Sequence, residues 1–130
     1  MPNTNKEIVE KLNTAFAENN PEVFLDACAE EATWQMVGDK SYKGKEAIKE
    51  FMDSMKDMEP PKFTVDNTFA DGDFVTSYGE MTMKDENGKD NPYSFCDIYQ
   101  FRGGKIVDLR SFVIKHKTEG ETSGTAAAWS

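Results

Sequence analysis

Apolar and polar positions repeat with two different periods along this chain, and the change comes near residue 62. In the first half the spacing is helical. Residues 4–16, TNKEIVEKLNTAF, place Ile8, Leu12, Ala15 and Phe16 on one helix face. Thr4, with Glu7 three residues later, fits a capping box that satisfies backbone N–H groups left over at a helix start. Asn19-Asn20-Pro21 ends this helix and opens a second over about 21–29, with Asn20 as N-cap and Pro21 in the first turn. Val23, Phe24, Ala27 and Cys28 form its apolar face. Residues 31–37, EATWQMV, read as a short strand, and Gly38, Asp39 and Gly44 mark a loop after it. The clearest helix is GKEAIKEFMDSMKDM, which aligns Ile48, Phe51, Met52, Met55 and Met58. Pro60-Pro61 stops it, because proline lacks the N–H and clashes with the preceding turn.

From residue 62 the period falls to two. Asp71-Gly72, Asn87-Gly88 and Gly103-Gly104 recur every sixteen residues as two-residue hairpin signals. They divide the segment into strands over about 62–70, 73–84, 90–102 and 105–115, joined as an antiparallel meander. Helices first and strands after predict an α+β domain over residues 1–116. Three N-terminal helices pack on one face of a curved, mainly antiparallel sheet, which the strand at 31–37 extends. Residues 117–130, ending in TEGETSGTAAAWS, have the composition of a polar, flexible tail, with Trp129 as a residue that could dock.

The third strand carries the unusual feature. Every second residue from Tyr93 gives Tyr93, Phe95, Asp97, Tyr99 and Phe101, so one carboxylate stands in an aromatic stripe. Desolvation by such neighbours disfavours the charged form and raises a carboxyl pKa. The opposite face is also partly apolar, with Cys96 and Ile98, and with Val75, Met81 and Met83 expected on the neighbouring strand. A one-sided antiparallel sheet should alternate more cleanly. A homodimer formed through the sheet accounts for the surplus apolar surface.

Charge and cysteine content narrow the function. With 15 Lys and Arg against 24 Asp and Glu, the net charge is −9. That balance argues against nucleic acid and anionic membranes as partners. No apolar run follows Met1 and none is long enough to span a bilayer, so a cytoplasmic protein is expected. Cys28 and Cys96 read as two small buried residues in a reducing compartment. His116, the single histidine, reads as a solvated residue after the last strand, and neither a metal nor an organic cofactor is implied.

The element order, the segment EEATWQMVGDKSYKGKEAIKEFM and the segment DIYQFRGGKIVDLRSFVI resemble the nuclear-transport-factor-2-like superfamily, in its SnoaL-like branch of polyketide cyclase and ketosteroid isomerase relatives. The resemblance covers residues 5–115. It implies a cone of curved sheet and helices with a mostly apolar internal pocket, often dimeric through the sheet. The fold serves isomerases, dehydratases, cyclases, epoxide hydrolases and non-enzymatic binders, so function has to be argued from the site. In this resemblance Asp97 matches the isomerase's carboxylic acid, which an apolar site keeps protonated so that it can donate a hydrogen bond to the developing oxyanion. The isomerase's general base matches Met36 and its tyrosine matches Leu12, neither of which can do that chemistry. The epoxide hydrolase's water-holding pair matches Trp34 and Met36, its basic aspartate Ser111, and its Arg–Asp pair Tyr78 and Glu80.

Strict alternation of the strands then predicts a pocket lined by Trp34, Met36, Phe51, Met55, Tyr78, Tyr93, Phe95, Tyr99, Leu109 and Val113. Glu80, Asp97 and Ser111 converge on it as polar groups. Two carboxylates on adjacent strands would titrate as a pair, with Asp97 as acid or oxyanion donor and Glu80 as base. Each also has a plain structural reading: Asp97 bonded to tyrosine hydroxyls, and Glu80 paired with Arg110 or Lys105. The expected ligand is a small, largely apolar molecule. Cofactor-free isomerase, dehydratase or cyclase chemistry and non-catalytic binding or dimerisation are the two readings that the residues leave open.

Overall fold

The computed structural model describes residues 4–18, 20–55, 62–85 and 87–116. The elements run α1 (Thr4–Ala17), α2 (Pro21–Ala27), β1 (Cys28–Met36), β2 (Ser41–Lys43), α3 (Lys45–Ser54), β3 (Lys62–Asp71), β4 (Phe74–Lys84), β5 (Asp90–Arg102) and β6 (Lys105–Lys115). All six strands join one curled, unclosed sheet in the order β2-β1-β6-β5-β4-β3. β3 to β6 form the expected antiparallel meander, whereas β6 runs parallel to β1. No helix among the described residues is long and apolar enough to cross a membrane.

Most boundaries follow the hydrophobic pattern, and the departures have local causes. α2 stops at Ala27 because Cys28 takes an extended conformation (φ −84°, ψ 141°) and starts β1. Asn20 occupies the N-cap position without a side-chain cap bond, and Pro21 opens the helix as expected. The loop expected at 38–44 contains β2, three residues that pair with β1 from Thr33↔Lys43 to Gln35↔Ser41. With burial that only alternates over three positions, β2 has too few residues to show a period. α3 therefore follows two strands, so only two helices precede the sheet. The Thr4 side chain of the capping box, Met58, Pro60-Pro61 and the tail with Trp129 lie outside the described residues.

The core forms where helices meet the inner face of the sheet. Val9 and Leu12 of α1, Phe24 of α2, and Ile48 and Met52 of α3 pack with Ala32, Val75, Tyr99, Phe101, Ile106 and Leu109. Each large apolar side chain buried there contributes roughly 1.5–3 kcal/mol before entropy is counted. Both cysteines are free thiols; Cys28 is buried in this core and Cys96 is half-buried.

Besides the shift between Cys28 and Thr33 in the β1–β6 pair, two register shifts shape the antiparallel part of the sheet. Val65 pairs with Gly79 and Asn67 with Tyr78, which leaves Asp66 as an extra residue in β3. Gln100 pairs with Asp108 and Phe101 with Ile106, which leaves Val107 extra in β6. A bulge bends a strand and reverses its facing beyond that point. Gly79 makes the first one possible, since a Cβ there would collide with the Thr64 carbonyl oxygen and crowd the Asp66 N–H. Gly103-Gly104, by contrast, form the two-residue turn that their sequence announces, with φ of 58° and 81°.

Gly79→Ala is expected to lower unfolding free energy by about 2–3 kcal/mol, because backbone rather than a side chain must give way. Gly104→Ala, where a Cβ meets open space, should cost about 1 kcal/mol from its positive φ alone. Urea unfolding of the two variants separates the cases by midpoint at unchanged slope.

Candidate functional site

Pairing across the sheet lines up one row of residues at a single level: Thr68 of β3, Ser77 of β4, Asp97 of β5, Ser111 of β6 and Met36 of β1. Their side chains share the helix-covered face with Val75, Tyr99 and Leu109, the fully buried residues one step away. Four of the five positions are polar, in the middle of an otherwise apolar surface. Ser77 is 0% exposed and Ser111 5%, so their hydroxyls must be satisfied by protein.

Both serines are bonded from the side away from Asp97. Asn13 of α1 donates its amide to Ser77 Oγ at 3.1 Å, and Thr68 Oγ1 lies 3.4 Å from the same oxygen. On the other flank Trp34 Nε1 donates to Ser111 Oγ at 2.9 Å. The indole is fixed by Phe24 and by Phe51, each with a ring centre 5.4 Å away, and Tyr42 stacks on Phe51 at 4.3 Å. An aromatic chain from α2 to β2 thus holds the donor that reaches Ser111.

Asp97 is half-buried as a residue, but protein closely surrounds its carboxyl. Burial pushes that carboxyl up to about 6, and the Ser111 hydroxyl partly opposes the rise. The cause is the one the aromatic stripe predicts. At neutral pH such a group is mostly ionised and changes charge on mild acidification, so it can take up and return a proton. Tyr99, one step deeper, is completely buried, and its hydroxyl finds no hydrogen-bond partner among the described residues. Burial, then the nearby Asp97 and Cys28, raise its phenol well above the usual range and keep it neutral. Cys28 is likewise pushed up to about 12 by burial, against the opposing charges of Lys45 and Lys105.

Other sequence candidates fall in different places. Trp34, Met36, Phe51, Tyr93 and Val113 are half-buried near the row, and Phe95 is 6% exposed. Tyr99 and Leu109 belong to the filled core, and Met55 ends α3 at 37% exposure. Tyr78 and Glu80 do not join Asp97. They pair with Cys96 and Ser94 on the outer face, while Val75, Met81 and Met83 take the inner one. The reason is loop length. A two-residue turn at Asn87-Gly88 would set Glu80 opposite Phe95, but five residues separate β4 from β5 and every facing on β4 reverses. The two-carboxylate arrangement therefore does not exist in this structure. What the alternation misses is Ser77, which the longer loop places beside Asp97, and Asn13, a polar residue next to Leu12 on the inward side of α1.

On the outer face Glu80 accepts from Ser94 Oγ at 2.6 Å, and His116 Nε2 lies 2.6 Å from that oxygen and 3.7 Å from Glu80. His116 is thus partnered rather than merely solvated. Arg110 instead reaches Asp108, and Lys105 donates to the Asp26 carbonyl. A concavity of about 490 Å³ lies on this face, walled by Tyr78, Glu80, Cys96, Phe112 and Ile114 among others. A second, of about 290 Å³, lies between α2 and α3 and is lined largely by charged side chains. Neither opens onto Asp97. No group of three His, Cys, Asp or Glu side chains is placed to hold a metal among the described residues.

A family described as SnoaL-like domain matches residues 9–109. The comparison with curated proteins returns no match. Among solved structures, an NTF2-like protein of unknown function from Cytophaga hutchinsonii is 23% identical, with a TM-score of 0.72, over 84% of this chain and 98% of that one. A putative SnoaL-like polyketide cyclase from Jannaschia sp. is 16% identical, with a TM-score of 0.75, over 85% of each chain. An LEH-like epoxide hydrolase of M. tuberculosis is 14% identical, with a TM-score of 0.74, over 85% of this chain and 82% of that one. At these identities the likeness is one of fold.

The raised Asp97 carboxyl has a consequence for stability. Its folded pKa of about 6 exceeds the unfolded value of 3.8, so the native state binds the proton more tightly. Stability from this group is present below pH 4 and is lost as pH rises through 6. Asp97→Asn should therefore be more stable than the wild type at pH 7.5, by about 2–3 kcal/mol, with the gain gone near pH 3.5. Urea unfolding at both pH values checks it.

Proposed function

The chain belongs to the SnoaL-like domain family, and from that premise we propose that it binds a small, largely apolar carbonyl compound on its helix-covered face and transfers a proton on it through Asp97. One observation carries this reading: a carboxyl raised to about 6 between two buried serines. A group with that pKa is poised to exchange protons at neutral pH. The half-buried Trp34, Met36, Phe51, Tyr93 and Val113, with Phe95, would supply the apolar walls. The structural neighbours described as a putative SnoaL-like polyketide cyclase and an LEH-like epoxide hydrolase agree with small organic substrates.

Glu80 is on the other face, so Asp97 would work alone. Its carboxylate takes a proton from the carbon next to the carbonyl, and the electron pair moves onto the carbonyl oxygen as an enolate. The resulting carboxylic acid returns the proton at another position, or the enolate carbon attacks a second carbonyl carbon of the same molecule, whose C=O π bond opens to an alkoxide that takes the proton from Asp97. This describes an isomerase or cyclase without a cofactor. The competing reading is a binder of the same ligands that moves no proton, and the missing second carboxylate favours it. On the outer face Phe69, Tyr78, Phe74 and Ile114 are 40–66% exposed. We propose that a second copy of the chain covers them.

Two measurements test these readings. Incubation with cyclic enones and 1,3-diketones in D₂O should exchange their acidic C–H at least tenfold faster with wild type than with Asp97→Asn. Ligand-induced shifts of the Trp34 indole signal without exchange would establish the binder, and neither effect would remove both. Sedimentation velocity should show a dimer that Ile114→Lys converts to monomer; a wild-type monomer would overturn that assignment.

A further inference from the structure

Hydrogen-bond direction in the polar row says more than the position of Asp97 alone. An indole N–H can only donate, so at Ser111 the oxygen is the acceptor of the 2.9 Å bond from Trp34. The single proton of that hydroxyl is left to point elsewhere. Asp97 is its direct neighbour across the β5–β6 pair, and the Ser111 hydroxyl stabilises the ionised carboxyl. Ser77 repeats the arrangement on the other flank. Its oxygen accepts from the Asn13 amide at 3.1 Å, which leaves its proton to point elsewhere; the 3.4 Å contact with Thr68 joins two hydroxyls and sets no direction. Asp97 is again the neighbour across the strand pair. Directly opposed side chains lie about 4.5–5.5 Å apart at Cβ, within reach of a hydroxyl and a carboxylate.

We infer that Trp34 and Asn13 are positioning residues: by donating to Ser111 and Ser77 they aim both serine protons at Asp97 and fix it as the proton acceptor of the site. This inference rests on the reading of Asp97 as the acid–base group, and it specifies the ligand further. A carboxylate that receives the Ser111 hydroxyl, and on this inference the Ser77 hydroxyl, still has lone pairs to accept with, so it selects ligands that present a proton. Those are compounds with an acidic C–H or an enolic O–H next to the carbonyl, rather than ketones that can only accept. The other titratable groups that sense Asp97 are the Tyr99 phenol and the Cys96 thiol, and both are raised and therefore neutral. Among the described residues no lysine, arginine or histidine shapes its charge; burial raises it and the Ser111 hydroxyl opposes the rise.

The test is ¹³C NMR titration of the Asp97 carboxyl in wild type, Ser111→Ala, Trp34→Phe and Asn13→Leu, with Asp97→Asn for assignment. Ser111→Ala should raise the midpoint by about one pH unit, a tenfold change in proton affinity. Trp34→Phe keeps Ser111 but frees its proton to rotate, and should give roughly half that shift; Asn13→Leu should act in the same direction. Ile106→Val, a core change on β6 five residues before Ser111 that removes no hydrogen bond, should leave the midpoint unchanged. A midpoint that ignores Ser111→Ala and Trp34→Phe overturns the positioning role, and so does an equal shift from Ile106→Val. The proposed function fails separately, if the wild-type midpoint lies near 4. Upward shifts from a wild-type value of 4 would keep the positioning role and remove the proton-transfer chemistry.

Discussion

The carboxylate of Asp85 accepts the backbone N–H groups of Asn87 at 2.9 Å and Lys89 at 3.0 Å, and the Asn91 amide at 3.1 Å. With the Asp85 N–H on the Lys89 carbonyl, these bonds close the connection between β4 and β5 as a five-residue loop. The bonds, the Lys89 N–H first, also hold this exposed carboxyl below its ordinary range. Strand pairing has a period of two, so one residue more or less in this loop would exchange the faces of β4. Much of the site depends on that parity. It puts Ser77 rather than Tyr78 beside Asp97, and it moves Glu80 to the outside.

Given that register, the fold holds a polar row against its own stability. Burying a carboxyl costs free energy in its charged form, and the sheet offers hydroxyls rather than cations to compensate. Hydroxyl donors offset only part of that cost, which is why the group remains raised. The surrounding core is closely packed, with Tyr99, Leu109, Val75 and Leu12 at or near zero exposure. Aromatic packing does a second task here. The rings of Phe24 and Phe51 limit how the Trp34 indole can turn, so its N–H keeps one direction. Apolar contacts thereby set the orientation of a hydrogen bond.

Much of this is legible in the sequence, and the failures share one origin. Helical and strand periods locate α1, α3 and the four long strands to within a few residues. The stripe from Tyr93 to Phe101 puts Asp97 among aromatic side chains, and desolvation follows from that composition. Facing on β4 does not follow, because Asn87-Gly88 looks like a two-residue turn while Asp85 recruits its neighbours into a longer one. The Asp66 bulge is equally hidden, since its sign is a glycine in the adjacent strand. β2 escapes notice because three residues carry no period. Local signals name the elements, whereas facing is decided by loop length and by bulges.

The strand order β2-β1-β6-β5-β4-β3 places the last strand between the first and the fifth. β1 and β2 pair with each other, and β3 to β5 form a meander, so β6 is what joins two otherwise separate sheets. Its contacts with β1 link residues about 75 positions apart, from Thr33↔Asp108 to Met36↔Ser111. Closing so long a loop costs entropy before any contact repays it, and such topologies fold slowly. A chain emerging from the ribosome holds Trp34 long before it holds Ser111, which follows Asp97 on the next strand. The hydroxyl that links Trp34 and Asp97 arrives on the same strand that completes the sheet. Assembly of the polar row and closure of the fold are therefore a single late event.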